Sequence, residues 1–310
     1  MKKIIFVLAL VLSLTLVICG CDSGAGGNEG NENIDNENNG NENNGNENNG
    51  NENNGNENNG DENIIGCTLL EFTSSGDGSC IVSGIGGCTH SHVVVPDLSP
   101  DGDIVIDISE AAFSQFTAVT DLTVPDGITS LGSLRNRTLM HCPNLKNIYV
   151  SEDHPYYKSV DGVIFTKETH SLIWYPCGRT EASYTLPEGT YHIGDFAFDR
   201  AVYLEEIILP DTCTGFGTGA FRGCEGLKEI VIPEGTKDIF NNAFMSCSSL
   251  KSIVLPSSIK SVGNMAFVLC DSLTDVYYAG SEDDWSKVDI KSDNTPLLNA
   301  TIHYNYGSES

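Results

Sequence analysis

The stretch LKEIVIPEGTKDIFNNAFMSCSS, residues Leu227–Ser249, is followed directly by LKSIVLPSSIKSVGNMAFVLCDS, residues Leu250–Ser272. The two segments have the same length of 23 residues and align without a gap. Leucine, isoleucine, proline, an Ala-Phe pair and cysteine recur at the same places in both. A period of this length is typical of a solenoid, in which each repeat buries its apolar side chains by stacking on its neighbours.

The same positions recur on both sides of this stretch. Four regular units carry Ala197-Phe198, Ala220-Phe221, Ala243-Phe244 and Ala266-Phe267. Further columns in register are Leu204, Leu227, Leu250 and Leu273; Ile207, Ile230, Ile253 and Val276; Leu209, Ile232, Leu255 and Tyr278; Ile193, Phe216, Ile239 and Val262; and Pro187, Pro210, Pro233 and Pro256. Looser units follow the same offsets at Val93 and Val95; Ala112-Phe113, Leu122 and Val124; Cys142, Leu145 and Ile148; and Tyr184 and Leu186. The columns predict eight rungs, meaning turns of the solenoid, between residues 93 and 278.

Each unit contains an alternating Ile-x-Leu segment, and this period of two predicts a short strand. A turn follows the proline, and we expect a short helical or 3₁₀ segment to carry the Ala-Phe pair. Stacking places equivalent residues one strand spacing apart, about 4.8 Å. Eight such strands predict one continuous parallel sheet over a single core.

The repeat resembles the BspA-type leucine-rich repeat. The likeness rests on Leu227-Lys-Glu-Ile-Val-Ile-Pro233 followed by Ala243-Phe-Met-Ser-Cys247. Two departures from the period are similar to features of that family: a hairpin-like interruption around Tyr157–Pro176 and a C-terminal end unit from Tyr278 to Asn305. The resemblance implies a leucine-rich-repeat solenoid, display at the bacterial surface and adhesin-like binding of proteins.

We predict a repeat domain over residues 64–306. It comprises an N-terminal cap at 64–100, a hairpin-like interruption at 151–183 and a C-terminal cap at 279–306. An Asn/Glu/Gly-rich linker precedes it at 21–63, with the unit Asn-Glu-Asn-Asn-Gly recurring every five residues. A stretch with so few apolar residues cannot offset the entropy of ordering, so we expect a disordered tether.

The first 20 residues predict a lipoprotein signal peptide. A basic start, Lys2-Lys3, precedes an apolar run from Ile4 to Val17 that is too short for a comfortable membrane span. The run ends in Ile18-Cys19-Gly20-Cys21, which resembles a bacterial lipobox with Cys21 as the lipidated residue. Two or more acyl chains anchor a protein durably, so we expect a lipid-anchored, surface-exposed protein that meets the membrane through this lipid only.

The cysteines and histidines raise three possibilities. Cys224, Cys247 and Cys270 share a column with Ala201, so we interpret them as small buried side chains. Cys67, Cys80 and Cys88 lie in the N-terminal cap, where one disulfide could form, and the pairing stays open. The run Cys88-Thr-His-Ser-His92 matches no standard zinc spacing, so we expect no metal and no cofactor.

The formal charge of −27 disfavours nucleic acid as a partner, because phosphate binding needs clustered Lys and Arg. No nucleophile elbow, P-loop or Rossmann glycine pattern is present, so we expect a binding protein and no enzyme. The expected partner is an extracellular or host protein. The alternative is an envelope structural or interaction lipoprotein, or a glycan-binding module.

Residues between the core columns should project outward, because side chains alternate along a strand. This predicts a candidate binding face, with no catalytic residues, in two rows. The first row is Val94, Thr123, Tyr149, Thr185, Ile208, Val231, Val254 and Tyr277, and the second is Asp121, Asn147, Glu206, Glu229, Ser252 and Asp275. An apolar row edged by acids suits a binding surface, although β-branched residues there also favour a strand in themselves.

Overall fold

The computed structural model describes residues 69–109, 112–113, 117–131 and 142–307. The predicted signal peptide, Cys21, the tether and Cys67 lie outside these residues. The described chain includes two short helices, α1 (Glu282–Trp285) and α2 (Thr295–Asn299). None of the helices in the described part combines the length and apolar composition needed to cross a membrane.

Short strands are the main regular elements of the described structure. In chain order they are β1 (Glu71–Ser74), β2 (Ser79–Gly84), β3 (His92–Val94), β4 (Ile104–Ile108), β5 (Asp121–Thr123), β6 (Asn147–Tyr149), β7 (Tyr157–Val160), β8 (Val163–Thr166), β9 (Ser171–Trp174), β10 (Ser183–Thr185), β11 (His192–Ile193), β12 (Glu206–Ile208), β13 (Gly215–Phe216), β14 (Glu229–Val231), β15 (Asp238–Ile239), β16 (Ser252–Leu255), β17 (Ser261–Val262), β18 (Asp275–Tyr278), β19 (Asp289–Ile290) and β20 (Thr301–His303).

The Ile-x-Leu segments form parallel strands on one side of a solenoid, as predicted. The register pairs equivalent residues of successive repeats, for example Ile230 with Ile253 and Ile253 with Val276. These strands form a three-stranded sheet, β3-β5-β6, and a six-stranded sheet, β10-β12-β14-β16-β18-β20. The expectation of one continuous sheet is therefore wrong, because β6 and β10 do not pair; a ninth strand, β20, extends the stack.

A second side of the solenoid consists of the four-residue strand β9 and five two-residue strands, all parallel. β9, β11 and β13 pair in one sheet, and β15, β17 and β19 pair in another. Ile193 pairs with Phe216, and Ile239 pairs with Val262. All four side chains are buried, so this predicted column lines the core from the opposite side.

The Ala-Phe segments form the third side, and they are tight turns instead of the predicted short helices. Two residues in each repeat, four apart, have φ between 53° and 70°. They are Phe196 and Arg200, Gly219 and Gly223, Asn242 and Ser246, and Met265 and Leu269. A right-handed helix requires negative φ and cannot pass through them. Their neighbours instead bond between rungs: Phe221 N donates to Ala243 O at 2.8 Å, and Phe244 N donates to Ala266 O at 2.8 Å.

The Ala-Phe column builds a stack of aromatic rings along the core. The centroids of Phe198 and Phe221 are 5.6 Å apart, those of Phe221 and Phe244 are 5.0 Å apart, and those of Phe244 and Phe267 are 5.3 Å apart. The interplanar angles of these pairs are 15°, 7° and 17°. All four rings are buried, so each repeat supplies part of its neighbour's core.

The repeat cysteines follow the phenylalanines and are buried free thiols, in agreement with their interpretation as small core residues. Each thiol also donates to a carbonyl of the preceding rung: Cys224 Sγ lies 3.2 Å from Phe198 O, and Cys247 Sγ lies 3.2 Å from Phe221 O. Cys270 Sγ lies 3.0 Å from Phe244 O. The column therefore requires a small side chain, and in these three repeats the cysteine also donates a hydrogen bond between rungs.

The interruption between β6 and β10 contains an antiparallel arrangement of β7, β8 and β9. Its middle strand has buried side chains on both faces. Val163 and Phe165 belong to the core of the C-terminal repeats, whereas Ile164 belongs to the core of the N-terminal part. This layer therefore separates two hydrophobic cores, and we call it the partition layer.

Candidate functional site

The exposed side of the six-stranded sheet carries the predicted binding residues. Side chains alternate along each strand, so in β12 Ile207 is buried while Glu206 and Ile208 are exposed. Two columns result. The outer column is Thr185, Ile208, Val231, Val254, Tyr277 and His303, and the flanking column is Ser183, Glu206, Glu229, Ser252, Asp275 and Thr301. We call the two columns together the strand face.

The middle of the strand face is apolar and accessible. Ile208 is 47% exposed and Val231 is 49% exposed, on adjacent strands. Val254 and Tyr277 are half-buried on the next two strands. A continuous row of apolar side chains at this exposure is unusual in a chain with a net charge of −27.

Tyr149 does not join this row. It lies on β6 in the three-stranded sheet, where its neighbour in register is Thr123. Asp121, Asn147, Thr123 and Val94 belong to the same small sheet. The prediction of one uninterrupted stripe is therefore wrong, since the interruption at 151–183 divides it.

Arg179 occupies the break between the two sheets. Its Nη1 donates to Asp161 O at 2.5 Å and to Asn147 Oδ1 at 3.4 Å, and its Nη2 pairs with Glu181 Oε1 at 3.1 Å. Ile148 N donates to Gly162 O at 3.0 Å, so the turn of the β7-β8 hairpin takes the place of the next strand. Arg179 was not predicted as a site residue; its one sequence signal is that it is the only arginine in the interruption at 151–183.

The C-terminal end of the strand face is aromatic. The rings of Tyr277 and His303 stack with centroids 4.6 Å apart, and Tyr306 lies 4.9 Å from Tyr277. His303 Nε2 is 2.7 Å from Asp275 Oδ1, and this hydrogen bond lowers the pKa of the Asp275 carboxyl, with a second contribution from Thr274. His303 and Tyr306 were not among the predicted site residues, although Thr301-Ile-His303 repeats the alternation of Asp275-Val-Tyr277.

The N-terminal end of the stack is held together by polar contacts. His92 Nε2 is 2.9 Å from Thr123 Oγ1, and its ring centroid is 5.9 Å from that of Tyr149. Burial raises the pKa of Tyr149, and the nearby Asp121 carboxylate adds to the shift. Asn147 Nδ2 also donates to Asp121 Oδ1 at 2.8 Å.

Cys80 and Cys88, the described cysteines of the N-terminal cap, are not placed as ligands of a metal ion. Cys88 is disulfide-bonded, whereas Cys80 is a buried free thiol 3.6 Å from Asp103 O, so Cys80 takes no part in the bridge. Burial raises the pKa of Cys80, which disfavours the thiolate that a metal would bind. Within the described ranges no group of three His, Cys, Asp or Glu side chains is placed to hold a metal ion.

The repeat geometry agrees with a family comparison. Six copies of the BspA type leucine rich repeat region match residues 98–173 and 173–287. The chain belongs to the BspA-type leucine-rich repeat family. The family resemblance predicted from the Leu-x-x-Ile-x-Ile-Pro and Ala-Phe positions is thereby confirmed.

Several solved structures are similar to this chain at low sequence identity. The pneumococcal vaccine antigen PcpA is similar with a TM-score of 0.50 and 20% identity, over 69% of this chain and 62% of that chain. A leucine rich cell surface protein from Faecalibacterium prausnitzii has a TM-score of 0.42 and 19% identity, over 72% of this chain and 97% of its own. A leucine-rich repeat protein from Bacteroides ovatus has a TM-score of 0.42 and 20% identity, over 76% and 70%. No curated protein matches the chain significantly.

Proposed function

We propose that this protein is a lipid-anchored bacterial surface protein that binds an extracellular protein through the strand face. The observation that carries the proposal is the exposed apolar row centred on Ile208 and Val231, on a rigid parallel sheet. Apolar side chains surrounded by a polar rim are the usual composition of a protein-binding surface. A sheet backed by stacked repeats presents such a row with little loss of conformational entropy on binding.

The anchor in this proposal is Cys21 with its lipid, joined to the repeats by the Asn/Glu/Gly-rich linker. The sequence Ile18-Cys-Gly-Cys21 after an apolar run supports lipidation. A Cys21→Ala variant should leave the membrane fraction and appear in the soluble fraction, and it should lose incorporation of labelled palmitate. Membrane retention of Cys21→Ala at the wild-type level would refute the anchor without affecting the binding proposal.

Binding, with no catalysis, is the activity that the chemistry of the described thiols supports. Burial raises the pKa of Cys142 to about 12 and that of Cys213 to about 12. The thiols of Cys224 and Cys247 are likewise shifted upward by burial, so none of these four supplies a thiolate at neutral pH. These thiols therefore serve packing in the core, and the exposed strand face is left for recognition.

The face is tested by a triple variant, Ile208→Ser, Val231→Ser and Val254→Ser. The matched control changes three apolar residues that are exposed elsewhere, Phe240→Ser, Met265→Ser and Leu269→Ser; these are 47%, 43% and 51% exposed. Both variants are measured for binding to a panel of extracellular-matrix proteins and for melting temperature.

We expect the strand-face variant to lose at least about tenfold in affinity, since apolar residues at an interface centre contribute most of the binding energy. The control should bind as the wild type does, and both should melt within a few degrees of it. Undiminished binding by the strand-face variant would exclude this surface. Protease treatment of intact cells tests surface display in the same strains, because the protease cuts a surface-exposed chain and does not reach cytoplasmic proteins.

A glycan ligand is the second candidate, and the C-terminal end of the strand face favours it. Tyr277, His303 and Tyr306 form an aromatic cluster beside the Asp275 carboxylate. Aromatic rings with an adjacent hydrogen-bonding group can contact both the apolar face and the hydroxyls of a sugar. Screening the wild type and Tyr277→Ala on a glycan array distinguishes the candidates, since only a glycan-binding face would show hits that Tyr277→Ala abolishes.

A further inference from the structure

The negative charge of the regular repeats is concentrated on the side that carries the strand face. In the strands and their immediate flanks, residues 182–189, 205–212, 228–235 and 251–258, there are six carboxylates and two lysines. The remaining segments of those repeats, residues 190–204, 213–227, 236–250 and 259–273, hold five carboxylates and four basic residues. The acidic character therefore belongs to one side of the solenoid and is nearly absent from the others.

Two of these carboxylates are direct neighbours. Glu206 and Glu229 pair in register on β12 and β14, and both are exposed. The nearby Lys228 is already engaged with Glu205, its Nζ lying 2.6 Å from Glu205 Oε2. Like charges in adjacent register positions destabilise a sheet. A cation supplied from outside would relieve this repulsion.

At Ile208 and Val231, the centre of the apolar row, carboxylates precede and follow each apolar residue along the chain. Glu206 and Glu229 precede Ile208 and Val231 on their strands, and Asp211 and Glu234 follow them in the turns. A complementary ligand needs apolar side chains for the row and positive groups for its borders. A second copy of this chain does not meet that requirement, because two acidic strand faces repel each other.

We propose that the partner of the strand face is a basic segment of another protein, with Lys or Arg side chains on either side of apolar ones. This inference rests on the proposed function and adds the chemistry of the partner to it. Association is then driven by both parts of the surface: the acids steer the basic segment to the face, and Ile208 and Val231 hold it by apolar contact. High salt weakens the first part, because the screening length falls from about 10 Å at 0.1 M to about 3 Å at 1 M.

The test uses three synthetic twelve-residue peptides and the lipid-free repeat protein with its linker, residues 22–310. The first peptide repeats Arg-Ser-Val, the second replaces each Arg by Glu, and the third replaces each Val by Ser. Affinity is measured by fluorescence anisotropy at several salt concentrations. The double variant Glu206→Gln and Glu229→Gln is compared with Glu282→Gln and Asp283→Asn, which remove the same charge from exposed positions on α1.

We expect the Arg-Ser-Val peptide to bind, the Glu peptide not to bind, and the Arg-Ser-Ser peptide to bind more weakly. The Glu206/Glu229 variant should lose about tenfold in affinity for the first peptide, whereas the α1 variant should lose less than about twofold. Equal losses of peptide affinity in the two variants would mean that only the net charge of the protein matters, and this would overturn the inference. Equal binding of the Glu peptide would also overturn it.

The matrix-protein panel separates failure of this inference from failure of the proposed function. If the Ser variant of Ile208, Val231 and Val254 loses matrix binding while the peptides show no charge preference, the strand face binds a partner of other chemistry. If that variant keeps matrix binding, the proposed face itself is refuted. Peptide discrimination together with loss of matrix binding supports both.

Discussion

Replacing Phe244 by alanine removes the middle ring of the aromatic stack. Phe244 is 1% exposed and lies between Phe221 at 5.0 Å and Phe267 at 5.3 Å, measured between ring centroids. The substitution therefore deletes a buried ring, leaves a cavity inside the core and breaks two stacked pairs at once.

The expected cost follows from these contacts. A buried Phe→Ala substitution costs about 3–5 kcal/mol, and the rigid backbone of stacked repeats limits collapse of the cavity. Each stacked pair contributes about 0.5–1.5 kcal/mol beyond simple burial, which places Phe244→Ala in the upper part of that range, about 4–5 kcal/mol. At roughly 2–4 °C per kcal/mol for a domain of this size, the melting temperature should fall by about 8–20 °C.

The assay is urea unfolding followed by circular dichroism, together with thermal melting. Lys251→Ala is the control, because Lys251 is exposed in the neighbouring repeat and should change stability by less than about 0.5 kcal/mol. The double variant Phe221→Ala/Phe244→Ala measures the coupling of the two rings, and we expect its cost to differ from the sum of the single costs. If Phe244→Ala destabilises no more than Lys251→Ala, the reasoning from stacked equivalent residues fails.

Three further predictions concern single residues. Cys224 should react with iodoacetamide far more slowly in the native protein than in urea. Its thiol is buried, burial raises its pKa, and Sγ donates a hydrogen bond to Phe198 O at 3.2 Å. Rapid labelling of the native protein, measured by mass spectrometry, would contradict this. Burial lowers the pKa of His154, whose Nδ1 accepts from Tyr157 N at 3.1 Å. The unfolded chain then binds a proton more readily than the folded chain, so the free energy of unfolding should fall as pH drops below about 6.5. In a His154→Gln variant the free energy of unfolding should depend less steeply on pH between pH 7 and 5. Equal slopes in the variant and the wild type would exclude His154 as the cause. Gly219→Ala should destabilise by more than about 1 kcal/mol, because its φ is 60° and an added Cβ would lie 2.5 Å from the ring of Phe196. The control Leu269→Gly relieves the same kind of backbone strain and should stay within about 0.5 kcal/mol of the wild type, as judged by urea midpoints.

The buried columns could be predicted from the sequence because, in a stacked repeat, the apolar positions that recur with the period are the positions that are buried. Each of Leu227, Ile230 and Phe244 recurs at a fixed spacing, and a repeat that stacks on itself must place such residues together. The alternation within each strand likewise predicted that Ile208 and Val231 point outward.

The conformation of the Ala-Phe segments could not be obtained in this way. Apolar spacing indicates which side chains are buried, and it does not report the sign of φ. Gly219 and Gly223 mark the left-handed positions in one repeat, but Met265 and Leu269 occupy the same positions in another. Side chains with a Cβ are accepted there because hydrogen bonds between rungs fix the backbone.

The division of the predicted exposed stripe into two sheets was equally hidden. The interruption was visible in the sequence as a loss of the 23-residue period. Where it breaks the parallel sheet depends on how its side chains pack against the two cores, which the period does not show. One sequence signal was available in β8, where Val163-Ile-Phe165 is a continuous apolar run without alternation. Such a run is typical of a strand buried on both faces, and a strand of that kind must lie between two cores.

The partition layer ends the hydrophobic core of the repeats on each of its sides, inside the solenoid. Ile164 packs into the core of the N-terminal repeats, and Val163 and Phe165 pack into the core of the C-terminal repeats. The partition layer therefore covers one end of each core. Contacts in such arrays pass only between neighbours, and unfolding can therefore stop at a boundary of this kind. Gain or loss of whole 23-residue units on one side of the partition layer would leave the register of the other side intact, so the length of the strand face can change without disturbing the N-terminal repeats.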